Sequence, residues 1–238
     1  MSLPAELLCL ASRPLLVVLD YDGTLAPIVN RPEDALPQAG AVAALRALHE
    51  DGRHRAVVLT GRPASEPSAF LATPGIAVVG LHGMEWPDSD LAPPDRPTIE
   101  GLRASLPARE GVTLEDKGRT LAVHYRNAPE GEHAAIEAEL DALPAPAGWE
   151  VVRGKKVREF RPEGFGKGRA VQRLAREHPG LHPVFIGDDV TDEEGFAALN
   201  ALGGTTVKVG EGDTVARHRL PDPAAVVPLL EAWASRRC

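Results

Sequence analysis

Residues 15–25 read Leu15-Leu-Val-Val-Leu-Asp-Tyr-Asp-Gly-Thr-Leu25, five apolar residues running straight into two carboxylates and a glycine. The apolar part shows no alternation, which suits a strand buried on both faces of a parallel sheet. Asp20 and Asp22 stand two apart on extended backbone, so their side chains can lean to one side. Gly23 permits an unusual turn after them. A lone Asp-x-Asp-Gly is more often a solvated turn than a site, so the meaning of this run depends on what else the chain brings to it.

Three further runs share its character: AVVL (56–59), IAVVG (76–80) and PVFIG (183–187). A fifth, TTVKVG (205–210), suits an edge strand. Helical spacing lies between them, over 39–50, 167–178 and 191–202. The last of these is expected to start at a capping box formed by Thr191 and Glu194. Residues 62–74 carry three prolines and are expected to make a poor helix. Strands alternating with helices predict a doubly wound, Rossmann-like α/β core. Residues 87–97, rich in Pro and Asp, read as a linker, and the segments after them follow the order αββαββ. We expect that unit to be an inserted cap over about 88–162, with the core formed by 1–87 and 163–238.

Three of the apolar runs end in polar groups: Asp20-Tyr-Asp22, Thr60-Gly-Arg62 and Asp188-Asp-Val-Thr-Asp192. Ligands of open parallel sheets bind beyond the carboxyl ends of the strands, so these ends converge. Thr60, Gly61 and Arg62 offer donors suited to phosphate oxygens. Carboxylates gathered in one crevice need compensation, which a hard cation such as Mg²⁺ supplies. Lys167 supplies more. The chain has 21 arginines and only five lysines, Lys117, Lys155, Lys156, Lys167 and Lys208, so a retained lysine is expected to have a specific task.

With 238 residues, 43% of them apolar, the chain can form one large domain or a medium one with an insert. A net charge of −8 argues against a nucleic-acid binder. Cys9 and Cys238, near opposite ends, argue for no disulfide framework and a reducing compartment. No signal peptide and no membrane span are read, so a cytoplasmic monomer is expected. GFGKG (164–168) is not a P-loop, because Arg161 and Gly168 replace the required glycine and hydroxyl residue.

DYDGT, the strand ending in TGR, Lys167 and GDDVTD, in that order, resemble the haloacid dehalogenase superfamily of phosphatases. LDYDGTLAPIV, GLHGMEW, LEDKGRTLAVHYR, GKKVREFRP and FIGDDVTDEEGF look more narrowly like the trehalose-6-phosphate phosphatases. The resemblance implies that Asp20 is a nucleophile forming an aspartyl-phosphate and that Asp22 is the general acid and base. It implies that Thr60 and Lys167 bind phosphate, and that Mg²⁺ is held by Asp20, the Asp22 carbonyl and Asp188, with Asp189 or Asp192 at its outer side. Arg62, His82, Glu115, Lys117, Arg126, Lys155 and Glu159 are the implied substrate-binding residues. Lys155 and Lys156 are read as strand neighbours pointing to opposite faces, with Lys155 toward the substrate. Other sugar phosphates, such as sucrose phosphate or a glycosyl-glycerate phosphate, remain open as substrates. A non-catalytic sugar-phosphate sensor on the same fold is the weaker alternative. A phospho-accepting receiver would be about half as long and has no place for the insert.

Overall fold

The computed structural model describes residues 3–29, 31–89, 95–106 and 108–235. The chain divides into two compact units, Met1–Ser89 with Gly166–Cys238, and Asp90–Phe165.

In chain order the elements are α1 (Ala5–Leu8), β1 (Leu15–Leu19), α2 (Ala41–Glu50), β2 (Arg55–Leu59), α3 (Ser65–Leu71), β3 (Ala77–Val79) and α4 (Arg96–Ser105). Then come β4 (Thr113–Asp116), β5 (Leu121–His124), α5 (His133–Ala142), β6 (Trp149–Gly154), β7 (Val157–Pro162) and α6 (Lys167–Glu177). The chain continues with β8 (His182–Gly187), α7 (Val190–Ala201), β9 (Thr205–Val209), β10 (His218–Leu220) and α8 (Val226–Ala234).

The first unit holds a six-stranded parallel sheet in the order β10-β9-β8-β1-β2-β3. From β1 the chain builds outward through β2 and β3, and later returns to the other side of β1 with β8. The strand order therefore switches direction at β1, and the carboxyl ends of β1, β2 and β8 border that switch. The apolar runs behave as their lack of alternation requires. Leu15, Val17 and Leu19 pack with α2 and α8 residues such as Leu45, Leu48 and Trp233. Leu16 and Val18 pack on the other face with Val171 and Leu174 of α6 and Phe196 and Leu199 of α7. Each buried Leu of this kind contributes roughly 1.5–3 kcal/mol.

The second unit is an αββαββ insert whose antiparallel sheet has the order β4-β5-β7-β6. Alternate strand residues Leu121, Val123, Phe160 and Trp149 pack on Ile99 and Leu102 of α4 and Ile136 and Leu140 of α5.

Four local expectations are corrected. The strand at 205–209 is interior, not an edge, because β10 pairs along its outer side. Residues 65–71, within the stretch of three prolines, are helical although they include Pro67. Pro67 falls in the first turn, where no intrahelical donor is required. Helix α7 is capped by Asp189, in a capping box with Asp192, rather than by Thr191 and Glu194. Lys155 and Lys156 form the two-residue turn between β6 and β7 instead of lying on a strand, and Lys156 is left-handed at φ 65°. Residues 90–94 of the expected linker, and Cys238, lie outside the described residues. No described helix is long and apolar enough to cross a membrane.

Candidate active site

Asp20 follows β1 directly, and its N–H donates to Ile186 O of β8 at 2.9 Å, which fixes the first and third of the polar strand ends side by side. Lys167 opens α6, and its Nζ lies 2.6 Å from Asp20 Oδ1 and 2.7 Å from Asp192 Oδ1. All three side chains are buried. Burial opposes the charge on Lys167, but the Asp192 and Asp20 carboxylates outweigh it and raise its pKa. The Asp192 second oxygen accepts from the N–H groups of Asp188 and Asp189, each at 2.9 Å. Asp192 thus has both oxygens occupied by the protein, and it ties the lysine to the loop after β8.

Carboxylate oxygens of Asp20, Asp188 and Asp192 all lie within 4.8 Å of one another. Burial drives the Asp20 carboxyl well above the usual range; Asp192 and Asp188 add to this, and Lys167 counters it. Asp188 is pushed up to about 7, by burial first and then by Asp192 and Asp189. Its Oδ1 is buried without a hydrogen-bond partner. A second ammonium, that of the buried Lys208, donates to the Asp188 backbone carbonyl rather than to its carboxylate. Gly23, left-handed at φ 77°, lies so near that a Cβ there would collide with the Asp188 carboxylate. A carboxylate with an orphaned oxygen, beside a second whose ionisation is opposed, fits a hard cation with oxygen ligands. Asp20 and Asp188 have the capacity to hold one. Asp189 stands outside the three-carboxylate cluster, at the head of α7.

The end of β2 adds donors. The Arg62 N–H donates to Thr60 Oγ1 at 3.1 Å, which leaves the hydroxyl proton free to point elsewhere. The Arg62 guanidinium, expected to meet phosphate, grips Asp22 through both oxygens, Nε to Oδ2 at 2.7 Å and Nη2 to Oδ1 at 2.8 Å. Its Nη1 donates to Glu66 at 3.0 Å. His82 is buried, and its N–H donates to Thr60 O at 2.9 Å. Its ring lies against Gly61, where a Cβ would come within 2.6 Å of it.

In the insert, Glu115 of β4 stands opposite Ala122 of β5, which stands opposite Glu159 of β7. Both carboxylates therefore lie on the face of the sheet away from α4 and α5. The Glu159 Oε1 accepts from Thr120 Oγ1 at 2.6 Å, and Lys117 Nζ lies 3.3–3.4 Å from its two oxygens. Glu115 meets His124 Nε2 at 2.7 Å. Burial opposes the Glu115 charge, but the His124 hydrogen bond and Lys117 outweigh it and hold its pKa low. Arg126, exposed after β5, donates to the Lys155 carbonyl at 3.3 Å. The Lys155 side chain is exposed, whereas Lys156 reaches Glu137 at 4.0 Å and lies over the Tyr125 ring. Arg158, in the same charged stretch, belongs to the helix side, bonded to Asp141 at 2.9 Å and to the Tyr125 hydroxyl at 2.9 Å. Its place on β7, one residue from Glu159, already sends it to the opposite face.

Residues 18–93 and 97–222 match the family described as trehalose-phosphatase. The chain is 34% identical over 224 residues to the trehalose-6-phosphate phosphatase of Escherichia coli K12, covering 90% of this chain and 83% of that protein. It is 34% identical over 242 residues to the trehalose-phosphate phosphatase of Mycobacterium marinum, covering 92% of this chain but 61% of that longer protein. The solved C-terminal domain of Candida albicans trehalose-6-phosphate phosphatase superposes with a TM-score of 0.83 at 25% identity, covering 97% of this chain and 96% of that one. With its parallel core, its αββαββ insert and a match over most of its length, the chain belongs to the trehalose-phosphatase family.

Proposed function

We propose that this protein hydrolyses trehalose 6-phosphate to trehalose and phosphate, with Asp20 as the nucleophile. The observation that carries the reading is the buried Asp20–Lys167 pair beside the Asp188 carboxylate, whose Oδ1 has no hydrogen-bond partner. An oxygen of Asp20 attacks phosphorus, the bond to the sugar oxygen breaks, and an aspartyl-phosphate results. Asp22, entering the step in its protonated form, gives that proton to the departing sugar oxygen and regains one from the water that cleaves the intermediate. Arg62 holds both Asp22 oxygens, so one must be released first. The incoming phosphate, a competing anion for the guanidinium, favours that release. Lys167 holds Asp20 in place and balances charge, while the Thr60 hydroxyl binds a phosphate oxygen.

Mg²⁺ held by Asp20, Asp188 and the Asp22 carbonyl would neutralise phosphate charge. Asp192, with both oxygens engaged, orients Lys167 and the Asp188 loop rather than joining the ligands. Glu115, Lys117, Arg126, Lys155 and Glu159 of the cap would bond the sugar hydroxyls.

The test is phosphate release from a panel of sugar phosphates, with Mg²⁺ and with EDTA. Trehalose 6-phosphate is expected to lead the panel and EDTA to abolish turnover. Equal rates on sucrose phosphate would remove the substrate assignment, and turnover surviving EDTA would remove the metal.

A further inference from the structure

Apart from His82, which the resemblance places among the substrate-binding residues, the segment Gly80-Leu-His-Gly-Met-Glu-Trp86 has no part in the chemistry above, yet it wraps the Thr60–Ala64 loop. The His82 N–H donates to Thr60 O and the Leu81 N–H to Arg62 O, each at 2.9 Å. Glu85 Oε2 accepts from the Ala64 N–H at 2.6 Å. The segment closes on itself through paired backbone bonds between Gly80 and Glu85, at 3.0 and 3.1 Å. Leu81, His82 and Gly83 are consecutively left-handed, at φ 46°, 55° and 99°. For Leu and His that conformation is strained, and such strain persists only where the surroundings enforce it.

The Glu85 contact fills a local gap. Ala64 is the N-cap of α3 and has no side chain to cap with. In a capping box the residue at the third helical position reaches back to the N-cap N–H. Here that position is Pro67, which cannot. Glu85 takes over the task from 21 residues further along. Gly80 makes the approach possible, because a Cβ there would lie 2.5 Å from both the Ala64 nitrogen and the Glu85 carboxylate.

We infer that Glu85 is a positioning residue: by holding Ala64 it fixes the Thr60-Gly61-Arg62 loop that binds phosphate and grips Asp22. This rests on the reading of that loop given above. A misplacement of an ångström in such a loop weakens phosphate binding and turnover, because the donors no longer converge. The metal-binding carboxylates sit on other strand ends and are left in place.

The experiment compares Glu85→Ala, Glu85→Asp and Glu85→Gln with the wild type in Mg²⁺. Readouts are the inhibition constant of inorganic phosphate, KM, kcat, the Mg²⁺ dissociation constant and amide exchange over residues 60–64. Loss of the acceptor in Glu85→Ala, or its retraction by one methylene in Glu85→Asp, is expected to raise the phosphate constant and KM about tenfold. The Mg²⁺ constant should stay within about twofold, and exchange at residues 60–64 should quicken. Glu85→Gln keeps an acceptor oxygen and should return to within about threefold of wild type. An unchanged phosphate constant and unchanged loop exchange alongside a lowered melting temperature would overturn the inference, leaving Glu85 a structural residue. If Glu85→Ala does not fold, the Asp and Gln pair decides. Wild type that neither binds phosphate nor releases it would instead sink the phosphatase reading itself.

Discussion

The two polar clusters are held differently, although Glu159 of the cap also has one short, dry bond, from Thr120 at 2.6 Å. In the core, Lys167 meets Asp20 and Asp192 at 2.6 and 2.7 Å, and Asp192 has each of its oxygens engaged. In the cap, Lys117 stands 3.3–3.4 Å from Glu159, and the Glu115–His124 pair is more than a third exposed. Short, dry contacts suit groups that must not move while a bond is made. Long or wet contacts suit groups that exchange one partner for a sugar hydroxyl at little loss. On the proposed function, the comparison teaches that chemistry and recognition should be separable by mutation, the first expected to fail completely and the second by degrees.

The sharpest way to break the comparison is Asp20→Asn. The amide can still accept from Lys167, so the fold should survive, while phosphate release should fall at least about a thousandfold with every substrate. Activity assays on trehalose 6-phosphate and p-nitrophenyl phosphate check this, and substantial residual turnover on either would remove Asp20 as nucleophile.

Lys167→Met should come next. It leaves buried carboxylates without their ammonium, and should lower stability by about 3 kcal/mol as well as activity by about a hundredfold. Urea titration measures the first and initial rates the second. Loss of activity at full stability would mean that the lysine serves substrate alone.

Asp188 gives a pH prediction. Its folded pKa of about 7 lies above the ordinary carboxylate value near 4, so the folded metal-free chain keeps a proton that the unfolded chain has lost. This contribution makes stability fall as pH rises from about 4 to 7. A cation needs the carboxylate, so its affinity should rise about tenfold per pH unit up to about 7 and level off above. Melting temperatures with and without Mg²⁺ between pH 5.5 and 8 check it, and a pH-independent Mg²⁺ effect would remove Asp188 as a ligand.

The smallest effect belongs to the cap. Lys117→Ala and Glu159→Ala should each reduce kcat/KM on trehalose 6-phosphate about tenfold more than on p-nitrophenyl phosphate. Equal losses on both substrates would show that this face does not read the sugar.

Much of this was legible in the chain because it rests on patterns of short range. Unalternated runs such as Leu15–Leu19 announce strands buried on both sides, and the order αββαββ announces the insert. Most of what stayed hidden depends on partners distant in sequence. His218-Arg219-Leu220 has no apolar run and is a strand only because β9 lies beside it. Thr191 has the side chain of a helix cap, but Asp189 holds the place because Asp192 binds the backbone ahead of it. The sequence does not reveal that the Arg62 guanidinium holds Asp22 in its fork, 40 residues away. Glu85 lies in a stretch that carries the resemblance, but nothing in the sequence marks its capping role, since the helix it caps is another segment's.

One feature of the topology sets a timetable. Asp20 and Lys167 are 147 residues apart, and β8 pairs with β1 only after the whole insert has been made. At equilibrium that distance matters little, since doubling a loop costs only about 0.6 kcal/mol. During synthesis it matters more. At translation speeds of about 5–20 residues per second, the β8 side of β1 stays uncovered for roughly ten to thirty seconds after the strand is made. An all-apolar strand with a bare edge is a ready template for the wrong partner. Until residues 182–187 emerge that edge has no native strand to pair with, so the risk of mispairing falls in the interval when the insert is being made.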